Sequence, residues 1–288
     1  MSQVTLKHIN KDFQNGKKQI LHVLDDINLT IEKGEFLSIL GPSGCGKSTV
    51  LNLIAGLETA TSGELLVEGR AIKGPGQDRI VVFQESGLFP WMSVLDNVMY
   101  GLLLKKMSKE EAKAKAIDVL QMVHLGKFIH AFPHELSGGM KQRVAIARAL
   151  VMDPDILLMD EPFAALDEQT RMVLHKELES IYLETGKTII FITHNIREAV
   201  MLSDRIVLMG TRPGMIKKEF KVQAARPRVA SDSVLVDLEN KILNELEKEM
   251  EKVLVEEMGR GDDLGLAGGD LGILALPLPD NAGNGQGG

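Results

Sequence analysis

The stretch Gly41-Pro42-Ser43-Gly44-Cys45-Gly46-Lys47-Ser48-Thr49, the phosphate loop below, decides how this chain folds. It lies between two apolar segments, 36–40 and 50–57, and it matches G-x-x-x-x-G-K-[ST], a pattern that joins a strand to a helix. Glycines let successive backbone N–H groups point inward, and the start of the following helix attracts an anion. Lys47 supplies positive charge for the β- and γ-phosphates, and the Ser48 hydroxyl suits Mg²⁺. The stretch therefore predicts a binding site for a nucleoside triphosphate.

Length and composition favour one large α/β domain, with or without appendages, because 288 residues with 44% hydrophobic content can bury a sizeable core. Cys45 is the only cysteine, so no intrachain disulfide can form and a reducing compartment is expected. The chain does not start with a basic segment and a long apolar core, and no apolar run approaches the ~20 residues that span a bilayer. We expect a soluble protein without a signal peptide, whose membrane role would require a partner.

Negative charge is concentrated at the C-terminal end. The formal net charge is −7, and residues 231–288 hold 13 acidic and 4 basic side chains. The remainder is close to neutral and has no basic stripe that could neutralise phosphates, so a nucleic-acid partner is not predicted.

The first 32 residues alternate between short apolar strands and polar turns. Strands are expected over 4–9, 21–24 and 27–31, with a polar, glycine-containing turn at 14–18. Phe13 lies at the edge of that turn. An aromatic ring there can stack on adenine, but an ordinary core phenylalanine fits the pattern equally well.

Three further apolar runs predict buried strands, each with polar side chains at its end: 80–84, 156–160 and 188–193. Open α/β sheets bind ligands at the carboxyl ends of their strands, so these side chains are expected near the phosphate loop. Asp160 suits Mg²⁺, and Glu161 suits polarising a water. Gln84 either positions a metal-bound or attacking water or is an ordinary polar strand end. A lone histidine is more often structural, and His194 gains a functional interpretation from its place at this edge.

Residues 92–150 have a helical pattern, and Ser137-Gly138-Gly139 begins one of these helices. Ser137 is an expected N-cap, and the two glycines allow another surface to approach closely. This helix start is a second place where phosphate can bind, although a simply capped helix explains the same residues.

The C-terminal segment has a different pattern. Residues 231–258 predict an amphipathic helix, and residues 259–288 are rich in glycine and are expected to be disordered. The apolar face of the helix contains Leu235, Leu238, Ile242, Leu246, Met250 and Val253.

In this order the motifs resemble the ATP-binding subunit of an ABC transporter over residues 4–225. The most specific element is Leu136-Ser137-Gly138-Gly139, which resembles the signature sequence of that family. The resemblance implies an α/β fold of the P-loop NTPase type, with a mixed central sheet and an N-terminal antiparallel β-subdomain. The ATPase domain would span residues 1–230 and would include an inserted helical subdomain at about 86–150, followed by the C-terminal segment described above.

The resemblance also implies roles for individual residues. ATP would be bound by Phe13, Gly41, Pro42, Ser43, Gly44, Cys45, Gly46, Lys47, Ser48, Thr49, Ser137, Gly138, Gly139 and Asp167. Mg²⁺ would be held by Ser48, Gln84 and Asp160, and catalysis would depend on Gln84, Glu161 and His194. Two subunits would pack head to tail, with each ATP between one phosphate loop and the other subunit's signature, which explains two anion sites in one chain. Glu161 would orient the attacking water while His194 holds the γ-phosphate.

The pair Pro90-Trp91, shortly after Gln84, resembles importers of nitrate, sulfonate, taurine and bicarbonate. That likeness implies an ATPase that drives uptake of a small anion, peripheral on the cytoplasmic face of the inner membrane. Its partners would be integral-membrane permease subunits, a second identical or closely related ATPase subunit and, indirectly, an extracytoplasmic solute-binding protein. Phe89 and Trp91 would contact the permease, and packing of Trp91 within the helical subdomain is an equally good interpretation.

Other function classes fit the sequence less well. A soluble ABC ATPase acting on DNA or ribosomes would need a long coiled coil between Gln84 and Leu136, or a second ATPase domain, and the sequence shows neither. A nucleotide-dependent structural module without turnover would not need Glu161. An importer or lipid-transport ATPase for another solute class stays open, as does a regulatory or dimer-contact role for the helix at 234–258.

Cys45 carries a separate expectation. It lies in the phosphate loop beside a helix start, a position that can lower the pKa of a thiol. Alkylation of Cys45 would then block nucleotide binding, and ATP would protect the thiol.

Overall fold

The computed structural model describes residues 2–15 and 19–262, which contain ten strands and seven α-helices. The strands are β1 (Ser2–Asn15), β2 (Gln19–Glu32), β3 (Phe36–Leu40), β4 (Ser62–Val67), β5 (Arg70–Ala71), β6 (Arg79–Val82), β7 (Ile156–Asp160), β8 (Thr188–Thr193), β9 (Arg205–Gly210) and β10 (Met215–Lys221). The helices are α1 (Lys47–Ala55), α2 (Val94–Leu104), α3 (Lys109–Met122), α4 (Gly138–Leu150), α5 (Glu168–Thr185), α6 (Ile196–Leu202) and α7 (Ser233–Asp262). Among the described residues, no helix combines the length and the apolar composition that crossing a membrane requires.

The central sheet has six strands in the order β10-β9-β3-β8-β7-β6. The strands from β9 to β6 are parallel, and β10 pairs antiparallel with β9 at one edge, so the sheet is mixed as expected. The side chains of β8 show that this sheet lies between two apolar cores. Each side chain of this strand is buried, and neighbours point into cores on opposite faces, Ile190 into one and Phe191 into the other.

The second sheet has the order β2-β1-β4-β5 and is antiparallel throughout, which confirms the expected antiparallel β-subdomain. It faces the central sheet across α1. Leu51 and Ile54 of α1 share one apolar core with Val4 of β1 and Ile190 of β8. This packing holds the beginning of α1 at the carboxyl end of β3.

The opposite face of the central sheet is covered by helices. α2, α3, α4 and α5 enclose an apolar core that includes Phe36 of β3, Met159 of β7 and Phe191 of β8. α2, α3 and α4 lie between β6 and β7 in the chain, where the helical subdomain at 86–150 is expected.

β1 and β2 differ from the expected run of short strands, because each is one continuous strand of 14 residues. The pairing shifts register between Leu6 and Lys11 of β1. His8 and Asp26, near these shifts, have left-handed backbones with φ of 51° and 47°. The polar residues that resemble breaks in the sequence pattern are thus accommodated as β-bulges in one long hairpin.

α7 begins near the expected position and runs past the expected end at Met258 to Asp262. Leu235 and Ile242 are buried against α6 and β9, with Leu238 and Leu246 packed beside them. Met250, expected on the same face, is exposed, and the side chain of Val253 lies outside the described residues. The first half of α7 therefore shares an apolar core with α6 and β9, and residues 263–288 of the glycine-rich tail lie outside the described structure.

Candidate functional site

The phosphate loop connects the end of β3 at Leu40 to the beginning of α1 at Lys47. Gly44 and Gly46 have left-handed backbones with φ of 76° and 94°, a conformation that residues with a Cβ rarely adopt. Gly46 also needs its small size, since a Cβ there would lie 2.5 Å from Leu24 Cδ2 of β2. The spacing of glycines in the sequence is therefore explained both by the turn and by the hairpin packed on it.

The start of α1 is open to an anion. Gly46 makes no side-chain cap, and no acidic residue lies in the first turn. By contrast, α2 to α6 are each capped by a side chain: Ser93, Ser108, Ser137, Asp167 and Asn195. The first N–H groups of α1 are thus left without a side-chain cap, as phosphate binding at a helix start requires.

Lys47 places its ammonium inside the loop. The side chain is buried, and Nζ donates to the carbonyl oxygens of Gly41 at 2.8 Å and Pro42 at 2.9 Å. A positive charge is therefore held where the loop and the start of α1 converge.

Ser48 and Asp160 come together from α1 and β7. The Ser48 hydroxyl donates to Asp160 Oδ1 at 3.1 Å. Burial raises the pKa of Asp160, the Glu161 carboxylate raises it further, and the hydrogen bond from Ser48 and the charge of Lys47 act in the opposite direction. The Ser48 hydroxyl and Asp160 carboxylate oxygens are of the type that ligates hard cations, and they lie beside Lys47.

Glu161 and His194 form the second pair at this sheet edge. Glu161 Oε2 lies 2.9 Å from His194 Nδ1, and the histidine side chain is 60% exposed. Glu161 has a left-handed backbone with φ of 44°, and its N–H donates to the carbonyl oxygen of Ile192 at 3.0 Å. This strained backbone turns the carboxylate out of the strand direction, next to the end of β8.

Gln84 lies near the same edge without a contact to the other site residues. β6 ends at Val82, opposite Met159 of β7, so Gln84 is beyond the strand rather than its last residue. Its side chain is exposed. The structure thus brings together Lys47, Ser48, Asp160, Glu161 and His194 and leaves Gln84 at the margin.

The sequence profile described as "ABC transporter" matches residues 24–164. An uncharacterized ABC transporter ATP-binding protein of Methanocaldococcus jannaschii is 48% identical over 253 residues, which cover 88% of this chain and 94% of that protein. The chain belongs to the ABC transporter ATP-binding proteins.

Other members of this family have named transport systems. The taurine import ATP-binding protein TauB of Pelagibacter ubique is 44% identical over 81% of this chain and 88% of its own length. The nitrate import ATP-binding protein NrtD of Synechocystis sp. is 49% identical over 72% of this chain and 78% of its own length. The dimeric ATP-binding cassette MJ0796, solved in a post-hydrolysis state with ADP and Pi, is 37% identical with a TM-score of 0.69, covering 77% of this chain and all of that one. The protein is thus an ATP-binding ABC ATPase with the fold predicted from its sequence.

The predicted signature of this ABC ATPase lies at the exposed start of α4. Ser137 is the N-cap, as predicted, and accepts a hydrogen bond from the Met140 N–H at 3.3 Å. Gly139 is required by packing within the chain, because a Cβ there would lie 2.5 Å from Thr170 Cγ2 of α5. Ser137 and Gly138 are exposed, so another surface can reach them.

Asp167 caps α5. Its carboxylate accepts from the Thr170 hydroxyl at 2.7 Å and from the Thr170 N–H at 2.9 Å, and these hydrogen bonds lower the pKa of Asp167. The cap gives this residue a structural role, and its contact with nucleotide stays a prediction.

Phe13 lies on β1 opposite Leu21 of β2. Leu24, which packs on the phosphate loop, follows Leu21 by three residues on β2. At the usual strand rise, Leu24 therefore lies roughly 10 Å from Leu21. Lys11 Nζ lies 4.4 Å from the centroid of the phenyl ring and is also bonded to Glu58 at 2.9 Å. The half-exposed ring is therefore held by Lys11 on the hairpin that packs on the phosphate loop, and stacking on adenine stays a prediction.

One contact on the phosphate loop was not predicted. Gly214, between β9 and β10, approaches so closely that a Cβ would lie 2.1 Å from the carbonyl oxygen of Cys45. The sequence Arg212-Pro213-Gly214 predicts a turn. That this turn contacts the phosphate loop follows from the pairing of β9 with β3, which sequence does not show.

The expected low pKa of Cys45 is wrong. Burial raises the pKa of this thiol more than the charge of Lys47 lowers it, and the side chain is fully enclosed. The loop backbone passes close to the sulfur: a Cβ on Gly41 would lie only 2.9 Å from Cys45 Sγ.

We expect N-ethylmaleimide at pH 7 to modify Cys45 at least about tenfold more slowly in the folded protein than in the urea-unfolded chain, because the thiolate is both scarce and shielded. Intact-mass spectrometry gives the rate directly, since the chain has a single cysteine. Equal rates in the two states would contradict the burial of the thiol.

Proposed function

We propose that this ABC ATPase powers an importer of a small anion such as nitrate, sulfonate, taurine or bicarbonate. ATP binding would close two ATPase subunits, and the movement would be passed to a separate permease. The observation that carries the proposal is an exposed Trp91 packed on a half-buried Phe89, on a chain whose relatives include taurine and nitrate import proteins. The chain would lie peripherally on the cytoplasmic face of the inner membrane, and an extracytoplasmic solute-binding protein would act with it indirectly.

The phosphate loop would bind the ATP phosphates, and Phe13 would stack on the adenine. Lys47 would contact the β- and γ-phosphates from the position that its bonds to the loop carbonyls now fix. The uncapped start of α1 supports this assignment, since its first N–H groups have no side-chain cap and Lys47 is the first residue of the helix.

Mg²⁺ fits the oxygen pair of Ser48 and Asp160. Octahedral Mg²⁺ with ligands at about 2.1 Å needs neighbouring oxygens roughly 2.9 Å apart, and these two are 3.1 Å apart. Among the described residues, no group of three or more His, Cys, Asp and Glu side chains could hold a metal. The remaining ligands would therefore be phosphate oxygens, water and the Gln84 side chain, and the ion would screen charge that develops on the phosphates.

Hydrolysis would use Glu161 and His194. Glu161 would orient and polarise the attacking water, and His194, held at 2.9 Å by that carboxylate, would contact the γ-phosphate. Gln84 would help to place the water. Catalysis of this kind depends on positioning and charge rather than on a covalent intermediate.

A complete site would require two copies of the chain. Gly138 and Gly139 face Leu166 and Thr170 of their own chain, and Ser137 and Gly138 are exposed. A head-to-tail dimer would bring this helix start, together with Asp167, to the ATP bound by the other subunit's phosphate loop. ATP would thus hold the dimer closed until hydrolysis releases it.

The permease contact would involve Trp91. Its side chain is 70% exposed, which favours docking over packing within the helical subdomain. Phe89 lies beneath it, with ring centroids 5.6 Å apart, and also packs on Tyr100 at 4.9 Å. Phe89 thus supports an aromatic surface whose outer face is Trp91.

We expect Trp91→Ala to abolish co-purification with the permease while ATPase activity of the isolated subunit stays within about twofold of the parent, because the exposed ring carries contact area and no core packing. The measurement is mild-detergent purification of the tagged chain from its native membrane, followed by mass spectrometry. Leu183→Ala is the matched control, since Leu183 is 58% exposed on α5.

The same purification tests the proposed function as a whole. Recovery of a multi-span permease and an extracytoplasmic solute receptor supports import, and the receptor can then be screened for its anion. Recovery of soluble partners alone would reject the transport role and favour an ABC ATPase that is not coupled to transport.

A further inference from the structure

Glu198 of α6 is a buried carboxylate that the proposed hydrolysis does not use. It is 5% exposed, yet it is contacted from two directions. The Thr193 hydroxyl donates to Glu198 Oε2 at 2.5 Å, while Arg171 Nε and His175 Nε2 of α5 lie 3.4 Å and 3.3 Å from Oε1. A carboxylate buried with this many partners has been placed by the fold, because its desolvation is costly without them.

On one side, Glu198 fixes the backbone around His194. Thr193 immediately precedes His194, and its hydroxyl oxygen also accepts from the Asn195 N–H at 2.9 Å. Asn195 in turn accepts from the Glu198 N–H at 3.2 Å. The residues before and after His194 are therefore both tied to Glu198, whereas the exposed imidazole itself is bonded only to Glu161 in the contacts of the described side chains.

On the other side, Glu198 pairs through charge with Arg171, and Arg171 holds the segment that follows Glu161. Arg171 Nη2 donates to the carbonyl oxygen of Leu166 at 2.8 Å, and Nη1 donates to Glu168 Oε2 at 2.9 Å. Asp167, predicted to meet the nucleotide, lies between these two residues. One turn further along α5, the ring of His175 packs on buried Phe163 at 5.3 Å.

The residues that contact Glu198 border the proposed reaction centre. A single cleft is lined by Glu161, His194, Thr193, Arg171 and Glu198. Arg171 and Glu198 are thus neighbours of the catalytic pair without contacting it.

We propose that Glu198 is a positioning residue for ATP hydrolysis, which couples the 163–168 segment to the backbone of His194 through Arg171 and Thr193. The proposal rests on the role of His194 given under Proposed function. A change in the segment around Asp167, where the second subunit would contact the nucleotide, then shifts Glu198 and with it the imidazole. Removing the charge of Glu198 loosens the geometry of hydrolysis more than it weakens ATP binding.

The test is the steady-state kinetics of Glu198→Gln, which keeps the shape of the side chain and removes its charge. We expect kcat to fall at least about tenfold while KM for ATP changes less than about threefold, because misplacing a reacting group affects the transition state more than the bound ground state. Glu179→Gln is the matched control. Glu179 is a half-buried carboxylate of α5 that pairs with Arg226 at 3.2 Å, and its replacement is expected to leave kcat within about twofold.

A double-mutant cycle with His194→Ala identifies the route. In that background, Glu198→Gln is expected to have almost no further effect on kcat. An equal fold-loss in both backgrounds, a kcat that matches the Glu179→Gln control, or a change confined to KM would each overturn the proposal. Parent-like kcat in His194→Ala alone would instead overturn the role assigned to His194.

Folding is checked by thermal denaturation. Should Glu198→Gln not fold, Arg171→Gln carries the same test, because Arg171 lies at the partly exposed edge of the cleft. Its replacement removes the links to Leu166, Glu168 and Glu198 and leaves the hydrogen bond between Glu198 and Thr193 in place. A parent-like kcat in that folded variant would overturn the coupling.

Discussion

Replacing Glu161 with glutamine is expected to lower kcat for ATP hydrolysis about a thousandfold while ATP binding stays close to that of the parent. The substitution removes the charge that is proposed to polarise the attacking water and keeps the shape of a side chain that contacts His194 at 2.9 Å. ATP is then bound but not cleaved, so the closed dimer accumulates. Phosphate release measures kcat, and sedimentation velocity with ATP and Mg²⁺ measures the dimer.

The control for this variant is Glu184→Gln. Glu184 is an exposed carboxylate of α5 that accepts a hydrogen bond from Ser180, and its replacement is expected to change neither measurement. Hydrolysis by Glu161→Gln at the parent rate would show that another group activates the water. A monomer with ATP, together with the low kcat, would count against the head-to-tail closure.

Replacing Lys47 with alanine is expected to raise the Kd for ATP about 10- to 100-fold. A hydrogen bond to a charged group contributes about 1.5–3 kcal/mol, and the ammonium is already held inside the loop by Gly41 and Pro42. Isothermal titration calorimetry gives the Kd directly.

Lys187→Ala is the matched control for the lysine. Lys187 is also held by a main-chain carbonyl, that of Pro154 at 2.8 Å, and it pairs with Asp153 at 2.6 Å far from the phosphate loop in sequence. Its removal is expected to alter stability without altering the Kd. An unchanged Kd in Lys47→Ala, or the same loss in both variants, would contradict the assignment of the phosphate site.

Much of the site was predictable because local sequence dictates it. Glycine spacing forces the turn of the phosphate loop, and apolar runs that end in Asp160, Glu161 and His194 place these residues at one edge of a parallel sheet. The N-cap at Ser137 follows equally from local hydrogen-bonding needs. Each of these features depends on residues within about one turn or one strand of each other.

Other features were not predictable because their partners are distant in sequence. A local rule predicted an acidic thiol at Cys45, but the core beneath the antiparallel sheet encloses it and raises its pKa. The apolar face of α7 was evident, yet its burial against β9 depends on how the chain returns to the central sheet. The bulges of the β1–β2 hairpin likewise compensate for polar residues that resemble strand ends.

The sequence by itself determined the phosphate loop, the order of strands and helices, and the identity of the carboxylates at the sheet edge near that loop, since these follow from short-range backbone preferences and apolar periodicity. Only the tertiary structure decided which groups meet. It pairs Ser48 with Asp160 and Glu161 with His194, and it joins Arg171 to Thr193 through Glu198. The physical reason is that sheet pairing and core packing fix distances of a few ångströms between residues that local sequence leaves independent.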